Sequence, residues 1–497
     1  MKAIIEWIKT VSVKHSLAFY IIKYLRSLPF QIFAVCVLFW LYHYSLLSWM
    51  KHNSTKLGDI SLRHFVPFYA EVHVEPWVTL WLIPVVVILI IYLVFVRWFY
   101  LSQSLKNINL LMMSIIFFVF IGISVAMIDG MYTQEDKTLP EVLRPYSRTN
   151  LEYFGDVPKV EALGVKTFLK YYTSPFLLNS LSRHSKVHPP GGSLFQWLIS
   201  KPFGYNLWSA SLLSILFTSM TVLPVFLLAR TLYDETVSRY ALAIFLIVPN
   251  FVMFTTTSMD GPFTFFPIWA IYLFFHSLRE KHKIPWSVLT GLAIALGMFM
   301  TYATFFLGLF FGIVLLLSMV FNRSLFKQEF IILIIAFFVF VTFYLMLFLV
   351  TGFNFFEALG SAIKQDQLVM GIGYPSLMHY FQISLANLIV FLIGVGIPLS
   401  VVWFRTCLIS FKRLRDGGIS VFFVIGFMIS LVLIAFSTLF SMEVERIWIF
   451  MVPFVVIPAA NHLNHLSISR GNFPFYLVSG LMCLQMVLSE AILWTYW

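Results

Sequence analysis

Apolar residues run along this chain in long blocks broken by short polar junctions. A helix that crosses a bilayer needs roughly 20 predominantly apolar residues. On that criterion the pattern predicts thirteen spans, at about 29–49, 77–100, 109–128, 206–229, 238–257, 261–278, 286–300, 303–321, 329–352, 381–404, 419–440, 446–461 and 474–496. The pair 286–300 and 303–321 comes from dividing one long hydrophobic stretch at Thr301-Tyr302. The first apolar run starts late, is long and has no small-residue cleavage site after it, so a cleavable signal peptide is not expected. The expected fold class is an all-α polytopic membrane protein with about thirteen transmembrane helices.

Composition agrees with that pattern. Of the 497 residues 60% are hydrophobic, 55 of them phenylalanine, and only 11% are charged. A soluble domain carries about 25% charged residues. Cys36, Cys407 and Cys483 lie in or beside apolar runs, which leaves neither a disulfide framework nor a zinc cluster. The net charge of +11 forms no continuous basic stripe, so nucleic acid is not an expected partner. Its distribution gives orientation instead. With the amino terminus inside, the inner junctions hold the basic residues before position 29, Arg97, Lys106, Arg230, Arg239, Arg279, Lys281, Lys283, Arg323, Lys327, Arg405, Lys412, Arg413, Arg415 and Arg470. They hold few acids, and most acids fall outside, as the positive-inside rule requires. Thirteen spans then put the carboxyl terminus outside.

Three outer segments are long, 50–76, 130–205 and 353–380, whereas no inner loop could hold a nucleotide-binding fold. The glycines of Gly371-Ile372-Gly373 are too sparse for a phosphate loop. No internal repeat is visible, which weakens a transporter built from duplicated halves. Segment 130–205 far exceeds an ordinary connection, and long loops are usually functional. Its polar start, from the end of the preceding span, holds Asp129, Glu135, Asp136, Glu141, Arg144 and Arg148. Val160, Leu163, Val165, Phe168, Leu169 and Tyr172 then recur on one face, predicting an amphipathic interfacial helix on the outer leaflet. A rigid His188-Pro189-Pro190-Gly191-Gly192 turn and a second apolar stretch, Leu194 to Phe203, complete it.

Four constellations carry candidate chemistry. Glu152 and Asp156 lie four apart, a spacing that puts both carboxylates on one face of a helical turn, where one suits a general base. Two solvated loop carboxylates would show the same spacing. His184 and His188 are also four apart, but Pro189 and Pro190 stop a helix there, and no third zinc-type ligand is near. His188 is better suited to donate a hydrogen bond to a phosphate or hydroxyl, with a satisfied structural histidine as the competing reading. Asp260, in Ser258-Met259-Asp260-Gly261-Pro262, occupies a very short outer junction. A carboxylate at that depth is costly and marks function, or it caps the following helix with Pro262 at the first position. Glu443, Glu445 and Arg446 open the span 446–461. An arginine there can grip a phosphate bidentately while a glutamate orients it, or it snorkels beside Trp448. Glu490 has no partner in sequence and reads as an interface residue, and Lys364, Asp366 and His379 form no pattern.

In order, Glu152-Tyr153-Phe154-Gly155-Asp156, His188-Pro189-Pro190-Gly191, the Asp260 junction and Glu443-Val444-Glu445-Arg446-Ile447-Trp448 resemble the GT-C superfamily of integral-membrane glycosyltransferases. That group includes protein mannosyltransferases and aminoarabinose transferases. The resemblance covers roughly 109–460, with 1–108 adding two spans, 109–352 forming the core with its outer loop, and 353–497 the remaining spans. It implies transfer of one sugar, with inversion, from a polyprenyl-phosphate carrier in the outer or lumenal leaflet to a glycan, lipid or protein acceptor. The catalytic base matched by motif is Asp156, with Glu152 as the neighbouring alternative. Asp260 would orient the donor phosphate, in some members through a divalent cation such as magnesium or manganese, although here it stands outside an Asp-x-Asp pair. His184 and His188 would line the same cavity, with Arg446 as phosphate ligand and Glu443 beside it. Asp156 lies about 28 residues past the span, further than the family pattern, so Asp129 stays open as the base.

Two other classes fit the same frame. A flippase or transporter of a lipid-linked sugar would have similar spans, but its ionisable residues belong at mid-membrane along a pathway. A polymerase or ligase of outer-leaflet polysaccharide would share donor and location and differ in transferring a chain. Asn53-Ser54-Thr55 is a glycosylation acceptor only in a secretory-pathway host. Without a visible retention signal, a bacterial plasma membrane with an outward-facing site is the expected location.

Overall fold

The computed structural model describes residues 24–53, 64–72, 80–101, 104–134, 137–370, 373–440 and 443–495. The basic residues before Tyr24, Ser54 and Thr55 of the acceptor sequence, Glu135, Asp136, and Gly371 with Ile372 lie outside them.

Among the described residues eleven helices are long and apolar enough to cross a membrane, twelve if one bent pair is a single span. That differs from the thirteen predicted for two physical reasons. Span 238–257 is a bent pair, Glu235–Phe245 and Pro249–Thr257, at 57° to each other. Pro249 brings no amide hydrogen and pushes Val248 out of helical geometry, to ψ 118°. Span 419–440 is the shorter apolar helix Ile419–Ala435. The stretch 381–404 is also interrupted, as Leu377–Gly394 followed by Ile397–Lys412. Gly396 sits between them at φ 113°, a conformation that strains any side-chain-bearing residue. Tyr302–Phe321 begins directly after Lys283–Met300, which bears out the division at Thr301-Tyr302. The helices therefore make an integral, multi-pass membrane protein.

The junctions sort into two faces. On one, Arg405 donates to Gln31 Oε1 at 2.7 Å and to the Arg26 carbonyl at 2.8 Å. There too Asn322 donates to the Gly417 carbonyl at 2.9 Å, and Arg239 to Asn107 Oδ1 at 2.7 Å. On the other, His379 Nε2 lies 2.6 Å from the Asn53 carbonyl, and the acidic junctions gather. Between the faces runs a continuous core in which Phe118, Phe251, Phe274 and Trp448 are fully buried. The Arg323–Thr351 helix turns outward, with Phe338 64% exposed, as a side chain facing lipid should be.

Segment 130–205 is more broken, and more buried, than the pattern predicts. In place of one interfacial helix come Val157–Leu163, Val165–Lys170, Pro175–Ser180, Arg183–Val187 and Gly191–Ser200. The apolar face of Val160, Phe168, Leu169 and Tyr172 packs on Met298, Tyr344, Phe353 and Phe355, not on lipid. Burial against span ends satisfies the same periodicity as burial in a leaflet. The loop is thereby a roof seated on Lys283–Met300 and Arg323–Thr351.

Candidate active site

Asp260 is the first residue of the Asp260–Arg279 helix, and its side chain does not cap it. Its Oδ2 instead faces Arg446 Nη1 at 2.8 Å and accepts from Ser258 Oγ at 2.8 Å. The helix amino terminus adds its own positive potential to that carboxylate. Arg446 Nη2 donates to Glu443 Oε2 at 3.0 Å. Glu443 adopts φ 63°, a left-handed conformation uncommon outside glycine, and so ends the preceding loop with its carboxylate turned toward the guanidinium. Arg446 is 8% exposed and Trp448 is fully buried, so this arginine does not snorkel to an interface.

The loop contributes the opposite wall. Arg183 N donates to the Asn150 carbonyl and His184 N to the Leu151 carbonyl, both at 3.0 Å, which lays 150–152 alongside 183–184. That pairing brings Glu152 Oε1 to 3.2 Å from His184 Nδ1. Glu152 is close enough to Arg446 to act on its guanidinium. His188 stacks on Phe263 at 5.9 Å and meets the Tyr153 ring edge-on at 5.8 Å. Burial is the main cause that pushes its imidazole down to about 3, so it is neutral at working pH, and its buried Nδ1 has no hydrogen-bond partner among the described residues. The turn behind it depends on Gly191, where a Cβ would stand 2.1 Å from the Phe299 carbonyl oxygen. Glu152, His184, His188, Asp260, Glu443 and Arg446 thus form one cluster.

Asp156 points elsewhere. Its fully buried carboxylate accepts from Ser182 N at 3.0 Å, Ser182 Oγ at 2.8 Å and Lys159 Nζ at 2.6 Å. Ser182 Oγ continues to Ser185 Oγ, and Ser185 to Ser193, tying three pieces of the loop together. The four-residue spacing does not put both carboxylates on one face, because residues 153–156 form a tight 3₁₀ turn that separates them.

Three acids gather that their sequence neighbours did not connect. Asp129 and Glu141 are both close enough to act on Glu490, which is 4% exposed within the bundle and not at an interface. Burial raises the Glu141 carboxyl, and Arg144, at 2.5 Å, offsets part of that rise. Glu445, named at this junction but given no role of its own, is 2% exposed and accepts from Tyr69 N at 2.9 Å through Oε1. A carboxylate flanked by Glu443 and Arg446 was the available signal. Lys364 and Asp366 are exposed and lie outside the cluster.

Among the described residues no group of three or more metal-type ligands is assembled. Asp260 does not fit a divalent cation, because its Oδ2 already faces a guanidinium that a cation would repel.

The class so defined is a multi-pass membrane protein whose acid–arginine cluster is roofed by a large loop. Residues 187–348 match the family model described as dolichyl-phosphate-mannose-protein mannosyltransferase, a glycosyl-transferring family. Compared with curated proteins, the sequence finds no match. Among solved structures, the oligosaccharyltransferase of Archaeoglobus fulgidus in its apo form is 12% identical, covers 77% of this chain and 56% of its own, and gives a TM-score of 0.50. The same enzyme complexed with zinc and sulfate gives 14%, 76%, 53% and 0.48. Its complex with an inhibitory peptide and a dolichol-phosphate gives 13%, 77%, 55% and 0.46. The chain spans about half the length of that oligosaccharyltransferase. At such identity the likeness carries the fold alone. Family model and solved neighbour both fall in the GT-C superfamily, and this chain has that fold, as its motifs led us to expect.

Proposed function

We propose that the protein is an inverting glycosyltransferase that moves a single sugar from a polyprenyl-phosphate carrier to an acceptor on the outer face of a bacterial plasma membrane. The observation that carries this reading is the cluster in which Arg446, held by Asp260 and Glu443, lies within electrostatic reach of Glu152, which itself meets His184. A lipid-linked donor is the chemistry named by the matching family model. It also suits the short inner junctions among the described residues.

The chemistry follows from the charges. The acceptor hydroxyl attacks the anomeric carbon from the face opposite the phosphate, and the bond from that carbon to the phosphate oxygen breaks. Glu152 takes the acceptor proton, with His184 fixing the orientation of its carboxylate. Arg446 neutralises the departing phosphate, and Asp260 and Glu443 keep the guanidinium in place. Neutral His188 offers a hydrogen bond without adding charge. Catalysis of this kind is positioning plus electrostatics. The isoprenoid tail has a suitable berth in an apolar groove of about 700 Å³, lined by Leu292, Phe338, Thr342, Met346 and Val350. Asp156 serves the loop, not the reaction.

The test is sugar release by purified protein supplied with a polyprenyl-phosphate sugar. Glu152→Gln should lower turnover by about 10²-fold or more, the usual share of a general base. Asp156→Asn should chiefly lower the thermal midpoint, because charge-assisted bonds of about 1.5–3 kcal/mol are weakened. Wild-type turnover in Glu152→Gln would remove Glu152 as the base. A product carrying a chain would replace single-sugar transfer with polymer transfer.

A further inference from the structure

A second groove lies on the face that carries Arg239, away from the acid–arginine cluster. It has a volume of about 400 Å³ and is lined by Ile90, Leu93, Val94, Arg97, Trp98 and Tyr476. One wall is therefore the helical stretch Leu82–Tyr100 and the other is the last span, Phe473–Ile492. Two consecutive residues pin those walls from behind. Arg239 donates to the Phe99 carbonyl at 3.3 Å and to the Leu105 carbonyl at 2.8 Å. The Tyr240 hydroxyl donates to Asn472 Oδ1 at 3.3 Å. The groove is thus held open by the fold itself.

Its lining changes character along its length. Ile90, Leu93 and Val94 make an apolar stretch, and Arg97 follows Ile90 by seven residues, roughly 10 Å along the helix. Val94 is 49% exposed and Trp98 62%, which turns both toward lipid, with the indole at headgroup depth. Val96–Tyr100 is a π-helical turn, closed by Leu101 N donating to the Val96 carbonyl at 3.1 Å. Such turns are rare and recur at functional sites. Two polar groups remain unmet. Arg97 is exposed and pairs with no carboxylate among the described residues. The Tyr476 hydroxyl is buried and has no hydrogen-bond partner among the described residues. A buried donor in that state is costly, and an oxygen acceptor in the groove would relieve it.

We propose that this groove binds one anionic phospholipid of the phosphatidylglycerol type, its phosphodiester on Arg97 and one acyl chain along Ile90, Leu93 and Val94. The Tyr476 hydroxyl donates to a phosphate oxygen of the same headgroup. Basic pockets between spanning helices suit anionic headgroups. A zwitterionic lipid fits less well, because its ammonium would have no acid to meet beside Arg97. An arginine that merely snorkels would accept any headgroup, whereas a walled groove selects one lipid. The bound lipid fills the seam between the two-helix segment that precedes the core and the last span. It stands whether or not the protein transfers sugar.

The experiment is native mass spectrometry of the full chain released from micelles holding phosphatidylglycerol and phosphatidylcholine in equal amounts. Wild type should retain one phosphatidylglycerol in preference to phosphatidylcholine. Arg97→Gln should lower that preference about fivefold, the share of one cation facing an anionic lipid. Tyr476→Phe keeps the ring, removes only the hydroxyl and should lower it by a smaller factor. Arg415→Gln removes an exposed cation from the same face and should leave it unchanged. Phosphatidylglycerol should raise the thermal midpoint of wild type more than that of Arg97→Gln, while the two agree in phosphatidylcholine alone, as folded proteins. Equal retention of both lipids by wild type overturns the proposal. So does an equal loss in Arg97→Gln and Arg415→Gln, which would mark general surface charge in place of a site.

Discussion

Two carboxylates four residues apart, Glu152 and Asp156, meet opposite fates in the folded protein. The sequence could pair them with one helical face because it does not reveal the 3₁₀ turn between them. What decides the matter is long range: Ser182, 26 residues on, fills the oxygens of Asp156, while His184 meets Glu152. Arg446 and Asp260 were legible for the opposite reason, since a charge at a short junction between apolar spans has few bland explanations. Glu445 was noticed but given no role, because its partner is a backbone amide, which no side-chain pattern announces. Burial pushes its carboxyl up to about 7, with the Tyr69 amide drawing it partly back. An unfolded glutamate titrates near 4.3. Between about pH 4.3 and 7 the unfolded chain therefore holds fewer protons than the native one, and stability falls as pH rises through that window. The loss totals at most about 4 kcal/mol and levels off above it. Glu445→Gln should abolish this dependence, so its thermal midpoint should gain on wild type from pH 5 to 7.5. A constant difference across that range would show that Glu445 does not titrate there.

At the level of helices, long apolar blocks carried most of the information, and their interruptions carried the error. Pro249 bends one predicted span and Gly396 divides another, because a hydropathy window averages over a residue that alters only the backbone. Loop helices were harder still. Val160, Phe168 and Tyr172 announce a buried face without saying whether lipid or protein covers it. The Pro189-Pro190-Gly191 turn shows why the local sequence was worth noticing. It presses the start of Gly191–Ser200 against the end of Lys283–Met300, so the loop and the bundle meet there at backbone contact. Gly191→Ala should force the roof away from Phe299 and lower transfer about tenfold or more, the scale expected when a 1 Å displacement reaches a catalytic site. Its thermal midpoint should fall by a smaller proportion than its turnover. Unchanged turnover would mean that the turn does not position His188.

For the whole molecule, the charge pattern of the junctions predicts a sidedness, and the fold gathers those junctions into two separate faces. We propose, on the positive-inside rule, that the face carrying Arg405 meets the cytosol. In a chain lacking Cys36, Cys407 and Cys483, His379→Cys should react with an impermeant thiol reagent added outside intact cells. Arg415→Cys should react only after permeabilisation, and the reverse result would invert the assignment. What no local pattern could disclose was the tie between distant ends of the chain. Tyr69 reaches Glu445 across 376 residues, and Ala70–Val72 finds its strand partner in Leu493–Thr495. While the protein is being made, residues 70–72 must therefore wait for this partner until the Phe473–Ile492 helix has passed through the insertion machinery. A nascent chain stalled before that point would hold its motifs in order without the strand that pins residues 70–72. Pairing of Ala70–Val72 is thus a late event in assembly, coming after every motif of the cluster has been made.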